Sequence, residues 1–392
     1  MTRAPLKVML VAVEASADVL GAGLARALKA RFGDEVSLLG VGGRAMAAEG
    51  VKSPFDIGEL SLVGLFEIAG AVPLALRRLE DVVRLAEAER PDVAVLIDSW
   101  EFTWRVARRL KLRVPDALRV KFVAPQVWAT RPGRARAAAR LFDLMLTLFD
   151  FEPPYFEAAG LRSVSVGNPV LRRDVSSADP ARLRVEIGAG PEDPILLVLP
   201  GSRPGEIKRV MPAFEDAVHR LKSARPELHI VVGAADTVAE QVRARVAGWP
   251  HRAHVVQGER DKLDAMRAAT LAIACSGTVT SELAVAGRPM LVGYRGHPLT
   301  ALVARAIIRT RFFTLVNIAA DAEIAPEFLQ ERCNGRDIAA AAAALLDDPK
   351  RRARQAAAQT AALAKLGLGA DDPYAAAADA ILQLVRARKP AG

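Results

Sequence analysis

Along the chain, short apolar runs alternate with stretches in which apolar residues recur every three or four positions. In the first half the runs fall at 7–13, 36–41, 92–97, 119–123, 144–148 and 163–166. In the second they fall at 195–199, 229–232, 254–256, 271–274 and 290–293. Runs this short and this apolar predict strands buried on both faces, and segments such as 20–31 and 76–89 carry helical spacing between them. Strand and helix in alternation predict an α/β fold of parallel sheets with helices on both faces. A polar stretch at 172–193, following Gly167-Asn168-Pro169, interrupts the alternation, and 392 residues exceed one ordinary core. Two Rossmann-like domains facing a cleft are therefore expected, 1–168 and 169–360, with the Ala-rich helices of 361–392 returning toward the first.

In such sheets ligands sit beyond the C-terminal ends of the strands, so the loops that follow strands are where chemistry is sought. The first strand runs into EASADVLGAG. Gly21 and Gly23 lie inside the helix and GxGxxG is absent, so no nicotinamide cofactor is expected, nor any other. Glu14, Ser16 and Asp18 crowd the strand-to-helix turn, as helix caps or as hydrogen-bonding groups for a hydroxylated ligand. The glycine turn Gly42-Gly43-Arg44 allows a ligand to approach the backbone closely. The run VLIDSWEF ends a buried strand on Asp98. All five histidines (His219, His229, His251, His254 and His297) lie in the second half. A general base in the first domain must then be a carboxylate, with Asp98 best placed and Glu14 its competitor.

In the second domain ILLVLPGSRPGEIKR sets Gly201, Ser202 and Arg203 between a strand and a helix, a pattern suited to gripping an anion. The loop lacks the GK[ST] ending of a Walker motif. AIACSGTVTSELA repeats the design, with Ser276, Gly277 and Thr278 at the turn and Glu282 one turn into the helix. Two such loops suit the two phosphates of a nucleotide diphosphate, with Glu282 accepting from a ribose; plain helix capping is the alternative. No Asp-x-Asp lies near either loop, so metal-independent transfer from a nucleotide-activated group is expected, with helix dipoles and a positive side chain stabilising the leaving nucleotide.

Charge adds one feature. The chain carries a net +9, and the segment 99–140 alone holds eleven Lys and Arg against Glu101 and Asp116. Such a segment attracts phosphates or an anionic membrane surface; without an aromatic ladder it does not suggest nucleic acid. Cys275 and Cys333 show no metal-ligand spacing, the N-terminus enters a strand without a signal-peptide pattern, and 60–76 is too short to span a membrane. A cytoplasmic protein, soluble or peripheral on a membrane, is the expectation.

Eleven pieces in register resemble lipid-A-disaccharide synthases. They include EASAD at 14–18, GVGG at 40–43, LSLVGLFEI at 60–68, VLID at 95–98, VAPQVWA at 123–129, VGNP at 166–169, LPGSRPGEI at 199–207, SGTVTSELA at 276–284 and VNI at 316–318. The resemblance implies an inverting hexosyltransferase of glycosyltransferase B architecture. It would join UDP-2,3-diacylglucosamine to 2,3-diacylglucosamine 1-phosphate on the cytoplasmic face of the bacterial inner membrane. It makes Asp98 the base and assigns the donor to Ser202, Arg203, Glu206, the 276–278 loop, Glu282 and Asn317. Ser16, Asp18, Gly43 and Trp128 fall to the acceptor side. The run at 60–76 would line an acyl groove or dip into the membrane, and an oligomer is compatible. Departures from the family pattern cluster on the acceptor side: Ala17, Trp100, Glu101, Asn168 and Thr130-Arg131-Pro132. A transferase acting on another lipid is thus the nearest alternative, and a nucleotide-sugar epimerase or a membrane-associated binding protein without the base the more distant ones.

Overall fold

The computed structural model describes residues 5–61, 72–172, 174–296, 310–369 and 371–388. The chain divides into two units, Met1–Pro169 with Ala370–Gly392, and Val170–Gly369. Most of the apolar run at 60–76, and His297, lie outside the described residues.

The first unit opens with β1 (Leu6–Val11), α1 (Ala15–Phe32), β2 (Val36–Val41), α2 (Arg44–Ala48) and α3 (Val72–Glu89). It continues with β3 (Val93–Ile97), α4 (Trp100–Arg113), β4 (Leu118–Phe122), β5 (Leu144–Thr147) and β6 (Ser163–Ser165). All neighbouring strands are parallel, in the order β2-β1-β3-β4-β5-β6. Alternate strand residues feed two cores. Met9, Val11, Leu96 and Met145 pack with α3 and α4 through Leu79, Val83, Phe102 and Val106. Val8, Leu10, Val95 and Val120 pack with α1 and the C-terminal helix, Pro373–Arg388, through Leu24, Leu28, Ala377 and Ile381. The continuous apolar runs arise because both faces are covered.

Two glycines show how tightly these layers approach. Gly40 in β2 takes φ +146°, and a Cβ there would lie 1.9 Å from the Leu10 carbonyl oxygen. A Cβ at Gly23 would lie 2.2 Å from the Tyr374 ring, so Gly23 of α1 makes room for the C-terminal helix. Asp18 fastens α1 to the turn after β2. Its buried carboxylate accepts the N–H groups of Gly43 (2.7 Å), Ala45 (2.9 Å) and Met46 (3.0 Å), capping α2 from outside.

The second unit holds β7 (Ile195–Leu199), α5 (Pro204–Arg209), α6 (Met211–Ala224), β8 (His229–Ala234) and β9 (His254–Gln257). These lead to α7 (Glu259–Ala268), β10 (Leu271–Cys275), α8 (Thr278–Val285), β11 (Met290–Tyr294) and β12 (Glu327–Leu329). Its parallel sheet has the order β12-β11-β10-β7-β8-β9. The two sheets bear out the α/β expectation. The edge strand β12, Glu327-Phe328-Leu329, opens on a charged residue after Pro326 and runs into Gln330-Glu331-Arg332, so it leaves no apolar run. The helix Pro349–Lys365 belongs to this second unit, where Gln355 Nε2 donates to the Met290 carbonyl at 2.7 Å; only the last helix joins the first. Among the described residues no helix is long and apolar enough to cross a membrane.

Asp18→Ala leaves three N–H groups without their acceptor. A loss of about 3 kcal/mol in chemical denaturation is expected, hydrogen bonds to charged groups each being worth about 1.5–3 kcal/mol.

Candidate functional site

Each sheet reverses its strand order once, and the reversal marks where ligands bind. In the first unit it lies between β1 and β3, which places Glu14 and Asp98 at adjoining strand ends. Asp98 and Ser99 take φ of 48° and 37°, left-handed values that turn the chain abruptly from β3 into α4. Three contacts hold that conformation. Asp98 N donates to the Phe122 carbonyl at 2.9 Å, Thr103 Oγ1 donates to the Asp98 carbonyl at 2.9 Å, and Ser99 Oγ donates to Glu14 Oε1 at 2.8 Å. The two candidate carboxylates therefore sit one hydrogen bond and one residue apart. The half-buried Asp98 carboxylate accepts no hydrogen bond among the described residues.

Below them lies Lys121, which pattern reasoning counts only as part of the basic segment. Its fully buried ammonium donates to the carbonyls of Leu96 (3.3 Å), Phe122 (3.4 Å) and Asp98. Burial pushes its pKa down to about 7, while the charges of Asp98 and then Glu14 pull it upward.

The residues expected on the acceptor side divide. Ser16 stands exposed on the first turn of α1, whereas Asp18 and Gly43 are bonded to each other as described. Both oxygens of Asp18 are spent on the backbone, so its work is structural. Trp128 donates through Nε1 to Glu152 Oε1 at 3.1 Å, and Glu152 Oε2 accepts the N–H groups of Leu148 (3.0 Å) and Phe149 (3.2 Å). Burial raises the Glu152 pKa to about 7 against those bonds. The unusual Trp100-Glu101 pair also has a function in the fold. Glu101 meets Arg134, Arg105 (3.2 Å) and Arg131 (3.6 Å), while Trp100 lies under the Arg134 guanidinium.

The basic segment is less free than its count suggests. Arg113 is paired with Glu87 and Glu80, Arg119 with Asp143, and Lys121 is buried. Arg108, Arg136 and Arg140 remain exposed, without an ion pair among the described residues.

In the second unit the reversal lies between β7 and β10, and a cavity of about 490 Å³ opens over it. Gly201, Ser202, Arg203, Glu206, the 276–278 loop and Glu282 all line it. One expectation is corrected here. The N–H groups of Ser202 and Arg203 do not form an anion grip, because Glu206 Oε2 accepts both, at 2.9 and 3.3 Å. Gly201 at φ +117° makes that possible, since a Cβ there would lie 2.4 Å from the same oxygen. Helix N-termini without a side-chain cap lie elsewhere at this reversal: those of α7 and α8, whose Gly258, Gly277, Thr278 and Val279 line the cavity. The Arg203 side chain is 74% exposed. Lys262, on the first turn of α7, adds a cation; its Nζ lies 3.1 Å from Glu282 and 3.5 Å from Glu259. Loops after β8 and β9 also contribute to the cavity, and attention to β7 and β10 alone misses Lys262. Burial pushes the Cys275 thiol on the cavity floor far up, leaving it un-ionised.

Asn317 is the second correction. It does not line the cavity: its carboxamide donates to Ala325 O (2.7 Å) and Glu327 Oε1 (2.8 Å) and accepts from the N–H groups of Ile324 and Ala325 (both 2.9 Å). Fully buried and fully bonded, it ties a loop to β12.

A family model described as lipid-A-disaccharide synthetase matches residues 8–381. A lipid-A-disaccharide synthase of Paramagnetospirillum magneticum is 42% identical over 97% of this chain and 98% of its own. One of Rhodospirillum centenum is 40% identical over 98% and 96%. Among solved structures, a UDP-GlcNAc 2-epimerase from Neisseria meningitidis bound to UDP-GlcNAc superposes with a TM-score of 0.64 over 98% of this chain and all of its own. At 12% identity that likeness is one of fold.

The Glu152 pKa sets a testable pH dependence. A native carboxyl with a raised pKa contributes stability that is complete below the unfolded value and lost as pH climbs through about 7. Glu152→Gln removes this term. Relative to the wild type, the variant should gain about 2 to 3 kcal/mol between pH 5 and pH 8 in chemical denaturation.

Proposed function

The chain belongs to the lipid-A-disaccharide synthetase family, and we propose that it joins UDP-2,3-diacylglucosamine to 2,3-diacylglucosamine 1-phosphate, forming a β-1,6-linked disaccharide and releasing UDP. It is a glycosyltransferase of lipid A biosynthesis. The observation that carries the proposed residue roles is the difference in polar groups between the two strand-order reversals. The first holds an unbonded carboxylate; the second holds Arg203, Lys262 and two helix N-termini without a side-chain cap around a cavity that Glu206, Asp236, Glu259 and Glu282 also line.

In this reading the first unit binds the acceptor. Asp98 removes the proton of the acceptor's 6-hydroxyl, and the oxygen attacks the anomeric carbon of the donor sugar from the face opposite UDP. The bond to the diphosphate oxygen breaks with its electron pair, which inverts the anomeric configuration. Arg203, Lys262 and the N–H groups opening α8 neutralise the charge that gathers on the departing diphosphate, and Glu282 accepts from the ribose. Ser16 faces the acceptor. The exposed Arg108, Arg136 and Arg140, with the run at 60–76, hold the enzyme on the anionic cytoplasmic face of the inner membrane, where both acylated substrates reside.

Product analysis with UDP-diacylglucosamine and a panel of lipid acceptors tests the substrate assignment; the disaccharide 1-phosphate should dominate, and preference for another acceptor would reassign the lipid. Asp98→Ala should lower kcat by a factor on the order of 10² with UDP affinity unchanged, as for loss of a general base. Near-normal turnover would move the base to Glu14. In calorimetry Arg203→Ala and Lys262→Ala should each weaken UDP binding on the order of tenfold, the scale of one charge-assisted hydrogen bond. Pelleting with anionic liposomes should weaken as salt rises, and salt-independent pelleting would remove the electrostatic contact.

A further inference from the structure

Lys121 occupies an unusual position. Strand register sets Val41, Val11, Leu96, Lys121 and Met145 side by side across β2, β1, β3, β4 and β5, and the other four pack into one apolar core. A fully buried ammonium in such a row is costly unless its charge is used.

At two of its three contacts the backbone does not depend on it. Of the three carbonyls it reaches, that of Phe122 already accepts from Asp98 N at 2.9 Å, and that of Asp98 from Thr103 Oγ1 at 2.9 Å. Nor does it form a direct ion pair with any carboxylate among the described residues. The charges that act on it are those of Asp98 and Glu14, the two carboxylates at the strand-order reversal. Two like charges at adjoining strand ends, with Glu14 bonded to the residue after Asp98, repel each other, and a positive charge buried beneath them offsets that repulsion.

We infer that Lys121 is a positioning residue for Asp98: its ammonium holds the Asp98 carbonyl from below and lays a buried positive charge beneath the Asp98 and Glu14 carboxylates, offsetting the repulsion between them. This rests on the assignment of Asp98 as the base. The counter-charge costs stability and is retained for the reaction, so its removal separates the two.

Lys121→Met keeps length and apolar fit without the charge; Lys121→Gln keeps a donor without the charge. Both should fold with unchanged or higher Tm and bind UDP as the wild type does. Each should lose kcat on the order of tenfold while KM for the donor holds. The acid limb of the kcat/KM profile should move up on the order of one pH unit as the base becomes harder to ionise. In an Asp98→Asn background, replacing Lys121 should cost little more, because the lysine acts through the aspartate. A wild-type pH profile, or a loss of kcat with the acid limb unmoved, would overturn the inference. So would failure of both variants to fold, which would make the lysine a structural tie. Should Asp98→Asn alone keep normal turnover, the base assignment falls first, and that outcome is read from a different variant.

Discussion

Every connection between parallel strands has to cross a face of the sheet, and right-handed crossovers running outward from one strand cover only one face. To cover the other, the chain must return to the centre and wind the opposite way. Both units do this once, between β1 and β3 and between β7 and β10. At each reversal the loops after adjoining strands leave on opposite sides, and the crevice between them stays open. Buried strands on either side hold those loops, so polar groups there are rigid without being buried. The positions of Glu14 and Asp98 in one unit, and of the 201–203 and 276–278 loops in the other, follow from that winding.

The two crevices are built from the same backbone plan and present different polar groups. In the first, carboxylates stand over an ammonium sunk in the sheet. In the second, two cations, several carboxylates and the N–H groups of two helix N-termini surround a cavity whose one nearby thiol stays protonated. Several acidic groups at these places serve the fold. Asp18, Glu206 and Glu152 each take two or more backbone N–H groups that would otherwise be orphaned, and Glu101 gathers arginines. These fixed contacts leave the Asp98 carboxylate, among the described residues, with its acceptor capacity unfilled.

Much of this was legible in the sequence, and the remainder failed for identifiable reasons. Strands buried on both faces announce themselves as apolar runs, so eleven of the twelve strands among the described residues could be seen; β12 opens on Glu327 and leaves no such run. Asp98 was legible because a charged residue interrupts such a run. Lys121 was not, because β4 reads LRVKF and alternation of basic and apolar residues suggests a half-exposed strand. The Gly201-Ser202-Arg203 turn was read as an anion grip because sequence shows that a polar group exists and not what already satisfies it, and Asn317 was assigned to the donor by resemblance alone. Lys262 lies one helical turn beyond a loop that carries no motif of its own.

The contact between Gly23 and Tyr374 bears on synthesis as well as packing. Ala377, Ala378, Ile381 and Leu384 complete the core that α1 and β1 begin, so the first half of that core emerges from the ribosome long before its last wall. The whole of Val170–Gly369 is made in between. At roughly 5–20 residues per second, the interval is on the order of ten to forty seconds. Throughout it the early unit exposes an apolar flank that nothing downstream can yet cover. The unit encoded in the middle is the one able to finish first.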